Sequence, residues 1–183
     1  MSNPLDTYFF FTGKIDPEAV KKLTHALAGV TNAKYSAGNH HVLMHSSGGN
    51  ADDGIFLYNF FRSLPVNFTL YNGGSLQSAA ALAFLGAKNR KTLPHSSFMI
   101  HRLKIRLDEP ATSAELGAYE KQARLDEATM REIMERHLTL SPDEWDKGSN
   151  SELWFNAKDA VKAGFAQEIG EFSPPLGTQI YTA

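Results

Sequence analysis

No cysteine occurs among the 183 residues. Disulfides, thiolate nucleophiles and cysteine-based zinc sites are thereby excluded, and the redox compartment stays open. A long apolar run is also missing. The most apolar stretch, residues 79–87, is about half of the ~18 residues that a transmembrane helix needs. Neither sign of charge is in excess: 18 Lys and Arg against 20 Asp and Glu give a formal net charge of −2. No strong positive field exists to gather nucleic acid or an anionic membrane, and blocks of like charge are absent. The opening "MSNPLDTYFFF" has no basic segment leading into an apolar stretch and a small-residue cleavage site. No secretory signal is read there, and the cytoplasm is the expected location. Apolar residues make up 42%, enough for a substantial core, and a single domain over residues 1–183 is expected.

What is present alternates between strand and helix signals. "TYFFFTG" is β-rich and closed by glycine, which suits a first strand. In "DPEAVKKLTHALAG", Asp16 can cap, Pro17 takes the first helical position, and Val20, Leu23 and Leu27 repeat at helical spacing up to Gly29. A buried strand over residues 42–45 runs into the turn "HSSGGN". A helix follows in "ADDGIFLYNFFRSLP", with Ile55, Phe56, Tyr58, Phe60 and Phe61 forming a broad apolar face. "NFTLYNGG" reads as a third strand ending in a glycine turn, "SAAALAFLGA" as a helix, and "KTLPHSSFMIH" as one or two short strands around Pro94. This order predicts an α/β fold with a largely parallel sheet. Beyond it, Thr112 and Glu115 stand at capping-box spacing ahead of a helix without proline to about residue 138. At 1.5 Å per residue that helix runs about 35 Å, long enough to project toward another subunit. "SPDEWDKG" and "NAKDAVKAG" predict short helices begun by Ser141 and ended by Gly164, and the tail over residues 173–183 is expected to add an edge strand.

The chemistry is sparser. His41 and His45 share a strand face, but four residues at ~3.3 Å each set them about 13 Å apart, too far for one metal ion. The two glycine turns, "HSSGGN" and "NGGSLQSA", each follow a strand. Bare backbone N–H groups there can meet a ligand at one edge of a parallel sheet. A serine becomes nucleophilic only beside a base that is itself oriented. His101 closes the strand "SFMIH" and can sit near Ser78. From the residues alone, Ser78 reads as a helix cap ahead of a nucleophile, and His101 as structural ahead of a base.

Five segments in order carry a resemblance: "YFFFTGKID", "HSSGGNADDGIFLYNFF", "GSLQSAA", "LPHSSFMIH" and "ELWFNAKDAVKAGFAQEI". The chain resembles the Clp protease family of serine peptidases, within the Clp/crotonase superfamily, over residues 8–172. The resemblance implies repeated ββα units, a largely parallel sheet and a long projecting helix. It also implies a serine endopeptidase acting on peptides or unfolded chains, with no cofactor and no metal. By position, Ser78 corresponds to the nucleophile and His101 to the general base. Glu152 falls where the family has its orienting aspartate, two residues before Trp154, while Gly49 and Ala79 would supply the oxyanion-hole N–H groups. A homo-oligomer of ring type is implied by the long helix. Only about six residues precede the first strand, which argues against an ATPase unfoldase partner.

Departures from the family pattern keep rivals in play. Counting forward from Gly74 puts Ser78 in the nucleophile slot, while counting back from Gly86 puts Gln77 there. Ser47 stands where the family has proline, and Glu152 is longer than aspartate, with Asp143 and Asp146 as less well placed substitutes. A noncatalytic subunit is the alternative if Gln77 fills the slot, and a crotonase-type acyl-CoA enzyme is a third reading.

Overall fold

The structure is a computed structural model and describes residues 6–31, 37–104, 107 and 109–183. Residues 1–5 of the opening segment, read above as lacking an export signal, lie outside them.

Aromatic and β-branched side chains favour extended backbone, and β1 (Thr7–Thr12) buries Phe9 and Phe11 on the side facing α1 (Pro17–Gly29). Asp16 caps that helix by accepting the N–H of Ala19 at 2.9 Å. Then β2 (Asn39–Ser46) lies parallel to β1, and α2 (Ala51–Ser63) begins where Asn50 accepts the N–H groups of Asp52 and Asp53. Its core face is Gly54, Leu57, Tyr58 and Phe61, at the i, i+3, i+4, i+7 spacing of a helix. The broader face expected from the sequence holds for Ile55 and Phe60, which pack against the core, but not for Phe56, which is 50% exposed and stacks on Phe60.

The third strand departs more from expectation. β3 (Asn67–Gln77) does not stop in a glycine turn but runs through Gly73 and Gly74 for 11 residues. Met44 pairs with Asn72 and Ser46 with Leu76, so β3 bulges across these glycines. A Cβ on Gly73 would lie 2.7 Å from Leu43, and one on Gly74 3.0 Å from the His45 ring. The glycines serve close packing rather than a turn. On its other side, β3 pairs first with β4 (Asn89–Thr92) and then with β5 (Ser97–Ile100), so one strand feeds two branches of the sheet. Between them sits α3 (Ala79–Phe84), wholly buried. It crosses α2 almost backbone to backbone, since a Cβ on Gly54 would lie 2.8 Å from the Ala79 carbonyl oxygen.

The long helix α4 (Ser113–His137) opens with the expected capping box between Thr112 and Glu115. Then follow α5 (Pro142–Asn150), β6 (Leu153–Asn156), α6 (Ala157–Ala163), β7 (Glu168–Ile169) and the edge strand β8 (Ile180–Thr182). The sheet order is β6-β5-β3-β2-β1-β8, with β4 and β7 branching from β3. Pairings are parallel except β5 with β6. This agrees with the expected α/β fold, its largely parallel sheet and its projecting helix.

One buried and one half-buried polar group tie elements together across the fold. Arg90 donates to the carbonyls of Phe165 at 2.8 Å, Ala87 at 2.7 Å and Gly164 at 3.3 Å, joining the ends of α3 and α6. His137 ends α4 with Nε2 3.0 Å from the Tyr58 hydroxyl. Burial, and then the charges of Arg90, Arg62 and Arg136, lower its pKa to about 4. The unfolded chain binds this proton near pH 6.5 and the folded chain only near 4, so stability present above about 6.5 is lost as pH falls toward 4. His137→Gln keeps a polar partner for Tyr58. Between pH 7 and 5 it is expected to lose less stability than the wild type, by on the order of 1 kcal/mol in urea unfolding.

Candidate active site

Ser78 stands between the last residue of β3 and the first of α3, and it has φ 52° and ψ −123°. It is the one non-glycine residue with positive φ among those described. Such a conformation costs a β-substituted residue about 1–3 kcal/mol and persists only where its surroundings fix it. Its N–H donates to the Met99 carbonyl at 2.8 Å, clamping the bend to β5. Gly48, at φ 85°, presses on the other side. A Cβ there would lie 2.6 Å from the Gln77 carbonyl and 2.9 Å from the Ser78 Cβ. The choice between cap and bend therefore has a geometric answer: the Ser78 hydroxyl makes no capping bond to α3. A serine on a strained strand-to-helix bend has the backbone geometry of a nucleophile elbow.

Gln77 has a different place. It ends the β3–β5 ladder opposite Met99, and its amide donates to the Ser75 hydroxyl at 3.1 Å. Ser78, not Gln77, occupies the bend.

The first glycine turn lies beside it. Ile15 N–H donates to the Gly48 carbonyl at 2.9 Å and Asn50 N–H to the Ile15 carbonyl at 2.8 Å. These bonds leave the Gly49 N–H without an acceptor among the described residues. A Cβ on Gly49 would lie 2.1 Å from the Ile15 oxygen, so only glycine fits. The Ala79 N–H, at the start of α3, is likewise without an acceptor among the described residues. Behind this turn one Asp53 oxygen is buried without a partner. Burial, and then Asp16 and Asp52, push that carboxyl above its ordinary pKa.

His101 follows β5 directly and lines a small pocket together with Ser78, Leu82, Ile100 and Met134. Its Nδ1 lies 2.5 Å from the Arg102 carbonyl oxygen. A carbonyl only accepts, so Nδ1 carries the proton and, in the neutral ring, Nε2 keeps its lone pair. That is the tautomer a general base requires. The pocket adjoins a cleft of about 300 Å³ walled by Ile100, Leu103, Met130, Met134 and Trp145. On its rim, Arg102 is paired with Glu127 at 2.7 Å, and the Arg131 guanidinium lies 3.7 Å above the Trp145 ring.

Glu152 stands just before β6. The antiparallel ladder ends with Ile100 opposite Leu153, and His101 and Glu152 are the residues next beyond it on the two strands. The Glu152 carboxylate, however, accepts the Trp154 indole N–H at 3.2 Å. Asp146 accepts from Asn150 within α5 at 3.1 Å. Neither His101–Glu152 nor Ser78–His101 is hydrogen-bonded among the described residues; in unliganded sites such bonds often tighten only with substrate.

Sequence reasoning singled out Gly49 in the pair "GG" but missed Gly48, whose positive φ and contact with Ser78 appear only in three dimensions. The Trp154 contact was also missed, although the i, i+2 spacing of Glu152 and Trp154 on a strand was a signal for it.

Comparisons with known proteins point the same way. A Clp protease family model matches residues 5–173. The ATP-dependent Clp protease proteolytic subunit 2 of Pseudomonas aeruginosa is 24% identical over 165 residues, covering 87% of this chain and 79% of the relative. Subunit 2 of Corynebacterium diphtheriae is 23% identical over 164 residues, covering 88% and 81%. That of Borreliella burgdorferi is 26% identical over 132 residues, covering 71% and 66%. With a parallel sheet, a serine at the strained bend and a family match over nearly the whole length, the chain belongs to the Clp protease family, a family of serine peptidases.

Proposed function

We propose that the protein is a serine endopeptidase acting on peptides or unfolded chains, with Ser78 as nucleophile, His101 as general base and Glu152 as the orienting carboxylate. The observation that carries this reading is the positive φ of Ser78, with its hydroxyl released from capping beside His101. Ser78 Oγ attacks the peptide carbonyl carbon while His101 Nε2 takes its proton. The resulting oxyanion accepts the N–H groups of Gly49 and Ala79. His101 then returns the proton to the leaving amine as the C–N bond breaks. Water, deprotonated by the same nitrogen, cleaves the acyl-enzyme and restores Ser78. One oxyanion donor in such a site is worth ~10²–10³ in rate. The apolar cleft beside His101 suits an uncharged substrate side chain next to the scissile bond.

The noncatalytic alternative turns on Gln77, whose amide is engaged by Ser75 on the strand. The reading as an acyl-CoA enzyme has no support in a serine and histidine so placed. ATP dependence is named for the relatives; hydrolysis of short or unfolded substrates needs none. No described helix is long and apolar enough to cross a membrane, and we place the protein in the cytoplasm.

We further propose a homo-oligomer built on α4. Its C-terminal half buries Met130 and Ile133 against the core. At helical spacing toward the N-terminus the same stripe continues through Ala123 to Tyr119 and Leu116, each of the latter two 47% exposed. A second copy would cover that half.

A fluorophosphonate probe should label the intact protein, and Ser78→Ala or His101→Ala should abolish labelling and lower peptide hydrolysis by at least about 10³-fold, while Gln77→Ala retains both. Wild-type protein that resists the probe would defeat the peptidase reading. Glu152→Gln should reduce kcat by about 10²-fold or more with the assembly unchanged. Gly48→Ala should destabilise by about 1–3 kcal/mol. Tyr119→Glu should lower the sedimentation mass of the assembled protein.

A further inference from the structure

The β5–β6 ladder ends with Ile100 opposite Leu153, so His101 and Glu152 are the next residues on its two strands, yet the two groups that would complete the relay are each satisfied elsewhere. Directly opposed antiparallel residues hold their Cβ atoms about 4.5–5.5 Å apart, so residues just past the end of a ladder are close enough for a carboxylate to swing onto an imidazole. Glu152 instead turns along its own strand. Two residues on, with side chains on the same face, the Trp154 indole N–H donates to its Oε2 at 3.2 Å. The His101 Nδ1–H meanwhile rests on the Arg102 carbonyl. Trp154 is 51% exposed and Glu152 is exposed, so no packing forces this bond.

We propose that Trp154 is a positioning residue: its indole N–H withholds Glu152 from His101 and sets how much of the protein carries a completed Ser78–His101–Glu152 relay. The inference rests on the peptidase reading above. Two arrangements compete. In one, Glu152 accepts from Trp154 and His101 donates to the Arg102 carbonyl. In the other, Glu152 accepts from His101 Nδ1–H and the indole N–H turns to water. Only the second stabilises the imidazolium that forms as Ser78 attacks. An exposed hydrogen bond to a charged group is strong enough to bias this exchange and too weak to forbid it.

Trp154→Phe keeps the ring and removes only the donor. In the assembled full-length protein, kcat for a fluorogenic peptide and the rate of fluorophosphonate labelling of Ser78 should each rise about three- to tenfold. KM should stay within about twofold, because binding in the apolar cleft is untouched. The acid limb of the pH–rate profile should move to higher pH, since a carboxylate closer to the imidazole favours its protonated form. Glu152→Gln should cancel the gain when combined with Trp154→Phe.

Ser78 labelling at the same rate and an unmoved acid limb in Trp154→Phe would overturn the latch while the peptidase reading stood. A fall in both would mean that the indole braces Glu152 onto His101, which also overturns it. Absence of labelling in the wild type and the variant alike would remove the peptidase reading and this inference together.

Discussion

A serine main chain held at positive φ is the constraint around which the rest is arranged. Left to itself, the bend at Ser78 would relax by about 1–3 kcal/mol into an ordinary conformation. It is kept in place by the Met99 carbonyl on one side and by the packed backbone of Gly48 on the other. Both supports come from distant parts of the sequence, carried by neighbouring strands. The bend can exist only when β2, β3 and β5 have assembled, so the chemistry is inseparable from the sheet.

The partner groups are held less tightly. His101 follows the last residue of β5, and Glu152 lies just ahead of β6. Where the core fixes the bend with buried side chains such as Leu76, Phe98 and Phe165, the imidazole and carboxylate sit at the open margin of the sheet. Tighter placement of the Ser78 bend than of His101 and Glu152 is a division that follows from burial. The Arg102–Glu127 pair, which joins the residue after His101 to α4, belongs to that outer layer too.

Much of the fold was legible because local rules and tertiary packing agree. Asp16, Thr112 and Ser141 cap the helices that their spacing predicts, and Gly164 ends α6 in the left-handed conformation that glycine favours. The misreadings came where local rules pointed one way and packing the other. "NGG" reads as a turn, yet Gly73 and Gly74 are extended because Leu43 and His45 fill the space a Cβ would need. Phe56 reads as core, yet the close approach of α2 to α3 at Gly54 turns that ring outward. For the site, spacing could bring Ser78 and His101 to the same sheet edge but could not choose between neighbouring Gln77 and Ser78. That choice depends on where the β3–β5 ladder ends, a nonlocal fact.

Arg90 shows how such a molecule tolerates changing conditions. Its guanidinium is held by main-chain carbonyls of Ala87, Gly164 and Phe165, and no carboxylate is paired with it among the described residues. Surface pairs along α4, such as Arg124–Glu120, weaken as salt screens them or acid neutralises the glutamate. A cation anchored by peptide dipoles has no counter-ion to titrate and little exposure to screening. The joint between α3 and α6 therefore stays fastened as salt rises, while the ion pairs along the outer helix weaken.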